Sequence, residues 1–282
     1  MSPDNSQIRI PGPTQPLVSV IIPVYNGEKY IRETIRSVAG QSEPRFEIIA
    51  VNDGSADSSP QMLDNLRMEI GDRLIILNVE NGGVSRARNT GVRASRGKYL
   101  AFIDQDDIWA PRKLQEQVSL LESDPSISIS FTNESIIDDQ GTIIKENVFT
   151  LGARNRGDIL EALLFDNFIP LSSVMMPREV FDLIGGFQPQ YALAEDYDLL
   201  LKAADTGTAG FIDKPLLKYR EHRESGTYRK IDQIMAESFE IIDTWKSQRP
   251  DLFRKNILRY GFFKLKFYFL KFKIRVKAGF SL

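Results

Sequence analysis

The chain has no cysteine and only one histidine in 282 residues. Disulfides, thiolate metal sites and a cysteine nucleophile are therefore excluded. The lone His222 rules out a histidine-rich metal centre. No apolar run approaches the roughly 20 residues needed to span a bilayer as a helix. The first sixteen residues are polar and proline-rich (Pro3, Pro11, Pro13, Pro16) and lack the apolar stretch of a secretion signal, so the cytoplasm is the expected location. No Gly-x-Gly-x-x-Gly follows the first apolar run, and no Walker A sequence occurs, which argues against a Rossmann dinucleotide site and a P-loop nucleotidase. Excess positive charge is also missing from most of the chain. Nine Lys or Arg and no acidic residue lie in 254–282, leaving 27 cations against 38 anions elsewhere, a net of −11. Nucleic acid is not expected as a partner of so acidic a body.

What is present is a soluble composition, 42% hydrophobic and 26% charged, with a regular alternation in its first half. Leu17–Val24 is a short β-branched run suited to a strand buried on both faces. Gly27–Val38 carries Ile31, Ile35 and Val38 at helical spacing, with Gly40 just beyond. Phe46–Val51, Leu74–Leu77 and Lys98–Ile103 read as further strands, separated by helices at Ser58–Glu69 and Ser85–Ala94. This order predicts a doubly wound, mostly parallel α/β sheet. After Trp109 the pattern loosens. The spacing predicts a helix over Pro111–Glu122, a strand at Ser126–Thr132, and a hairpin in Ser135–Ile144 turning at Asp138–Gly141. Helices at Arg156–Phe165, Glu195–Ala204 and Ser225–Lys246 and short strands at Ser172–Met176 and Leu216–Tyr219 complete it. The expected organisation is a flexible tail (1–16), a main domain (17–223) and a C-terminal extension (224–282). The domain divides into two halves, 17–110 and 111–223.

Each polar loop of the first half follows a strand, so Tyr25-Asn26-Gly27, Asp53-Gly54-Ser55 and Asp104–Asp107 should gather at one sheet edge, where open α/β sheets bind ligands. Three carboxylates in four positions (Asp104, Asp106, Asp107) repel one another, and a hard divalent cation would resolve that repulsion. An acidic turn is the alternative. Asp53 before Gly54 suits hydrogen bonds from a base or ribose, or else an ordinary turn. Asn81-Gly82-Gly83 leads into a helix bearing Arg86, Arg88 and Arg93, which suits a diphosphate or simply a solvated basic face. Glu195, Asp196 and Asp198 open a predicted helix. There they complement the helix dipole, and one could act as general base toward an acceptor hydroxyl.

In this order the motifs resemble the family 2 glycosyltransferases, inverting enzymes of the GT-A fold. The matching elements are Val20–Asn26, Asn52–Ser55, Asn81-Gly82-Gly83…Ala87-Arg88-Asn89, Phe102–Asp107, Gly185-Gly186-Phe187, Glu195-Asp196 and Tyr219-Arg220…His222, covering about residues 17–223. The resemblance implies a sugar transfer from a nucleoside diphosphate, most simply UDP, to a carbohydrate or lipid-linked acceptor with Mn²⁺ or Mg²⁺. Pro23, Tyr25, Glu28, Asp53, Gly82, Gly83, Arg88, Asp104 and Gln105 would bind the nucleotide sugar, with Arg88 near the diphosphate. Asp106 and His222 would hold the metal. Asp196 would be the base, assisted by Glu195, and Trp109 would face the acceptor. Asp107 is expected to support the loop. A sugar nucleotidyltransferase and a non-catalytic sugar-nucleotide-binding protein are the alternatives.

Gly261–Lys277 interleaves Phe262, Phe263, Phe267, Tyr268, Phe269 and Phe272 with lysines. It reads as a peripheral anchor for an anionic membrane surface, with packing against the protein and a nucleic-acid tail as the other readings.

Overall fold

The computed structural model describes residues 15–149, 157–222 and 230–256, with positions 258, 259, 261 and 265 beyond. The expected membrane anchor lies almost wholly outside the described residues, as do 1–14 of the expected flexible tail. No helix of the described residues is long and apolar enough to cross a membrane.

The first half follows the alternation read from sequence: β1 (Val18–Val24), α1 (Ile31–Ala39), β2 (Phe46–Asp53), α2 (Ser59–Ile70), β3 (Leu74–Val79), α3 (Val84–Ala94) and β4 (Tyr99–Phe102). β5 (Ile108–Trp109), α4 (Lys113–Ser123), β6 (Ile127–Ile137) and β7 (Ile143–Lys145) come next. The second half adds α5 (Leu160–Leu163), β8 (Met175–Pro177), α6 (Arg178–Leu183), α7 (Glu195–Ala204) and β9 (Thr208–Arg220). Two last helices, α8 (Ile231–Gln248) and α9 (Pro250–Lys255), follow. The strands form one sheet in the order β3-β2-β1-β4-β8-β6-β9-β5, with β7 on β6. β1, β2, β3 and β4 are mutually parallel, whereas β8 is antiparallel to both β4 and β6.

Side-chain alternation explains why the first strands are apolar throughout. Val18, Val20, Ile22 and Val24 of β1 join Ile31, Ile35 and Val38 of α1 on one face. Ile21 joins Val51, Phe102 and residues Ala87 and Val92 of α3 on the other. Each such side chain, fully buried, contributes roughly 1.5–3 kcal/mol. α3 lies close against the sheet, because a Cβ on Gly91 would stand 2.7 Å from Ile21 Cγ2. The second core continues through Phe131, Tyr197 and Trp245, so both halves of the sheet share it. In-register parallel pairing sets Val24 beside Asn52 and Asn52 beside Asn78, which sends the loops after β1, β2 and β3 off the same edge.

Several boundaries differ from expectation. α1 starts at Ile31 rather than Gly27, because Gly27 O accepts the Tyr30 and Ile31 N–H groups in a turn. Pro111 precedes α4 instead of opening it, and its carbonyl accepts the Ser42 N–H. α5 is only four residues long, with Asp158 Oδ1 accepting the Leu160 N–H at its start. Arg156, where that helix was expected to begin, and Ser225, the expected start of α8, lie outside the described residues. The hairpin forms as read, Ile137 opposite Ile143, with Asp138 Oδ1 accepting the Gln140 and Thr142 N–H groups in the turn.

Candidate functional site

The ends of β1, β2 and β4 open on a cavity of about 810 Å³. Most sequence-predicted residues meet there: Pro23, Tyr25, Asp53, Gly83, Arg88, Asp104, Gln105, Asp106, Glu195, Asp196 and His222 all line it. Gly82 adjoins it through a hydrogen bond to Asp53. Glu28 and Trp109 are not among the lining residues.

At one end Asp53 is buried, and its two carboxylate oxygens accept the N–H groups of Gly82 (2.8 Å) and Gly83 (2.9 Å). The carboxylate thereby fixes the glycine loop that opens α3. Gly54 and Gly83 both take positive φ, 70° and 84°, a conformation that favours glycine. Tyr25 is 51% exposed, its ring unclaimed by the core. Its backbone is pinned by Gln105, whose Oε1 accepts the Tyr25 N–H at 2.9 Å and whose Nε2 donates to the Tyr25 carbonyl at 3.1 Å. Gln105 thus holds the wall of the pocket instead of presenting a free amide to a ligand. Glu28 accepts the Ser58 N–H and ties the β1 loop to the start of α2.

The three carboxylates of the Asp-rich loop have different partners. Asp106 Oδ2 lies 2.7 Å from His222 Nε2. The imidazole is steadied by the Tyr30 ring at 5.2 Å, and its Nδ1 is buried with no hydrogen-bond partner among the described residues. Among the described residues no group of three or more His, Cys, Asp or Glu could hold a metal ion. A carboxylate and an imidazole side by side fit a cation that takes its other ligands from phosphate oxygens and water. Asp107 is buried beneath the loop and accepts the Arg220 N–H at 2.9 Å, consistent with a supporting role. Burial, followed by the charges of Asp106 and Asp104, pushes its carboxyl well above the usual range.

Arg88 sits deeper than a diphosphate ligand was expected to. It is 4% exposed and bridges two carboxylates, donating from Nη1 to Glu195 (2.5 Å) and from Nη2 to Asp104 (2.6 Å). Burial alone would lower its pKa, but Asp104 and Glu195 raise it, so it stays charged. Bidentate pairing of this kind fixes geometry as well as charge. Asp196, in the first turn of α7, stands beside Glu195 on the cavity wall. Burial pushes its carboxyl up to about 6, against the pull of Arg88 and the Tyr197 N–H it accepts at 2.6 Å. Burial likewise pushes Glu195 up to about 7. Asp198 turns away to pair with Lys202.

Trp109 corrects an expectation. It is 3% exposed, donates from Nε1 to Ser172 O at 2.7 Å and packs under the buried Lys113 amine, so its ring is closed to an acceptor. Three other residues carry site geometry that the sequence did not single out. Ser172 Oγ accepts the Asp104 N–H from 68 positions away. Arg220 donates from Nε to the Asp106 carbonyl and from Nη2 to Glu33. Glu134 of β6 reaches the cavity floor. Of these, only Arg220 had a local signal, its place two residues before His222.

The model of glycosyl transferase family 2 matches residues 19–182. The chain is 34% identical over 249 residues to an uncharacterized glycosyltransferase of Rickettsia felis, covering 86% of this chain and 40% of that one. It is 31% identical to one of Rickettsia prowazekii, covering 86% and 74%, and 28% identical to the chondroitin synthase of Escherichia coli, covering 81% and 32%. The chain thus spans less than half the length of several relatives it matches. Among solved structures it resembles S. aureus TarS in complex with UDP-GlcNAc, at TM-score 0.65 and 19% identity over 80% of this chain and 65% of that one. It also resembles the mannosyltransferase PcManGT of Pyrobaculum calidifontis in complex with GDP-Man and Mn²⁺, at TM-score 0.64 and 21% identity, covering 92% and 73%. The sheet order and the family match agree: the fold is GT-A, and the chain belongs to glycosyl transferase family 2.

Proposed function

We propose that this chain transfers a sugar from a nucleoside diphosphate to an acceptor hydroxyl, with inversion, in the assembly of a polysaccharide or glycolipid. The observation that carries the reading is Asp196. It is a carboxyl on the cavity wall, held near pH 6 by burial and sharing one cavity with the Asp106–His222 pair. A general base works best with a pKa near the working pH. Asp196 would take the proton of the attacking hydroxyl while the hydroxyl oxygen displaces the nucleoside diphosphate from C1 in one step.

The nucleotide end follows from Asp53, Pro23 and Tyr25, with Asp53 accepting from the base and the exposed Tyr25 ring flanking it. A uracil base is the simplest partner, and UDP complexes of a fold relative support it. Asp106 and His222 would hold Mn²⁺ or Mg²⁺, which would neutralise charge on the leaving diphosphate. Arg88 positions Asp104 and Glu195 on either side of the transferring sugar and adds fixed positive charge. Relatives named for chondroitin and teichuronic acid synthesis support a polysaccharide product.

Asp196→Asn tests the assignment. Turnover of the sugar nucleotide should fall at least 10³-fold, while calorimetry finds donor affinity within threefold of wild type. In the wild type, kcat should rise with pH with a one-proton slope centred near 6, because the base acts only when ionised. A flat profile between pH 5 and 8, or an Asn variant that retains turnover, would count against Asp196.

A further inference from the structure

The far side of the cavity carries an acidic group that nothing above uses. Glu134 lies on β6, which is four strands from β2 in the sheet, about 19 Å at the usual ~4.8 Å strand spacing. A base held by Asp53 cannot reach it. Glu134 is 7% exposed, its Oε2 is buried with no hydrogen-bond partner among the described residues, and the residue is among those lining the cavity. A buried carboxyl with an unsatisfied oxygen costs stability unless something supplies the missing donor.

The surroundings are rigid. The Glu134 carbonyl accepts the Val148 N–H, and its own N–H donates to Asn133 Oδ1. Asn133 also clasps Phe149 through both backbone groups at 3.0 Å. Phe149 and Phe131 in turn fix Phe168, 6.3 and 6.2 Å away edge to face, and Phe168 lines the cavity beside Asn167. An aromatic face, a side-chain amide and an unpaired carboxyl around one space form the chemistry of a sugar-ring site. The ring's C–H face meets the aromatic, and its hydroxyls donate to the carboxyl.

We propose that Glu134 anchors a sugar ring through the ring's hydroxyl or amine donors, at the end of the cavity opposite the nucleotide. The carbohydrate identity of the guest rests on the glycosyltransferase reading. The ring belongs to the acceptor or is the transferring sugar of the donor, and the two are separable. With the full chain and Mg²⁺-UDP, saturation-transfer NMR would follow the methyl glycosides of glucose, galactose, mannose and N-acetylglucosamine. Calorimetry would follow UDP, UDP-GlcNAc and GDP-mannose.

Glu134→Ala should weaken at least one methyl glycoside (acceptor ring) or one sugar nucleotide (donor ring) tenfold or more, with UDP changed less than twofold. Glu134→Gln keeps the shape and one acceptor oxygen, so it should fold normally and lose only two- to fivefold. Unchanged affinities in both variants, no sugar-dependent binding by the wild type, or equal losses for UDP and UDP-GlcNAc would overturn the proposal. None of these readouts needs turnover. The Asp196→Asn protein should therefore show the same sugar binding, and a failure of the base assignment would leave this result standing.

Discussion

Glu134 and Asp196 are both pushed up by burial, to about 7 and about 6, but they differ in what faces them. Asp196 has Arg88 and the Tyr197 N–H in its favour, whereas Glu134 is offset only by Lys145, with Glu221 opposing. A carboxyl whose folded pKa lies above its unfolded one favours folding below the unfolded value and loses that contribution as pH rises through the folded one. With about 1.4 kcal/mol per tenfold change in protonation, ionised Glu134 costs the fold on the order of 3 kcal/mol at pH 8. Glu134→Gln should therefore gain about 1–3 kcal/mol in urea denaturation at pH 8 and nothing at pH 4.5. An equal gain at both would show that the charge is not the cause.

At the scale of elements, the last residue of β9 ties the site together. Arg220 is buried under the Asp106–Asp107 loop and is bonded to Glu33 of α1 and to the Asp138 and Asp139 carbonyls of the β6–β7 turn. Asp139 continues the clasp to Lys29 and to the Tyr30 hydroxyl. The turn, α1, the Asp-rich loop and His222 are therefore joined by one continuous set of hydrogen bonds. Arg220→Met should cost about 2–3 kcal/mol in urea denaturation. It should also weaken Mn²⁺ binding in the presence of UDP at least tenfold by electron paramagnetic resonance. A stability loss with unchanged Mn²⁺ affinity would separate the clasp from the Asp106–His222 pair. Local pattern could not disclose this clasp, because Arg220 meets Glu33 across 187 positions and Asp106 across 114. The strands β1 to β4 were legible because each is an apolar run closed by a polar loop, and α7 matched residue for residue. Trp109 misled for the converse reason. The acceptor role came with the family resemblance, and only tertiary packing reveals that Ser172 and Lys113 already cover the ring.

For the whole molecule, two populations of carboxyls oppose each other. Asp107, Glu134, Glu195 and Asp196 are raised by burial, and Glu134, Glu195 and Asp196 disfavour the fold as pH climbs past 6 to 7. Glu43, Glu69 and Glu161 are lowered by hydrogen bonds from Arg45, Arg36 and Lys255, and their contribution fades as pH falls below the ordinary carboxylate range. Thermal unfolding should therefore be latest near pH 5, and a midpoint still rising between pH 7 and 8 would contradict the balance. Beneath the cavity, the core that holds Ile21 and Phe102 runs unbroken to Tyr197 of α7 and to Ile241 and Trp245 of α8. The Asp53 end and the Glu134 end of the cavity thus rest on one shared apolar core. A nucleotide that quietens the Asp53 loop will slow amide exchange in α8, whose core residues lie on that shared layer. Exchange in α8 that is the same with and without nucleotide would show that the shared layer transmits nothing between them.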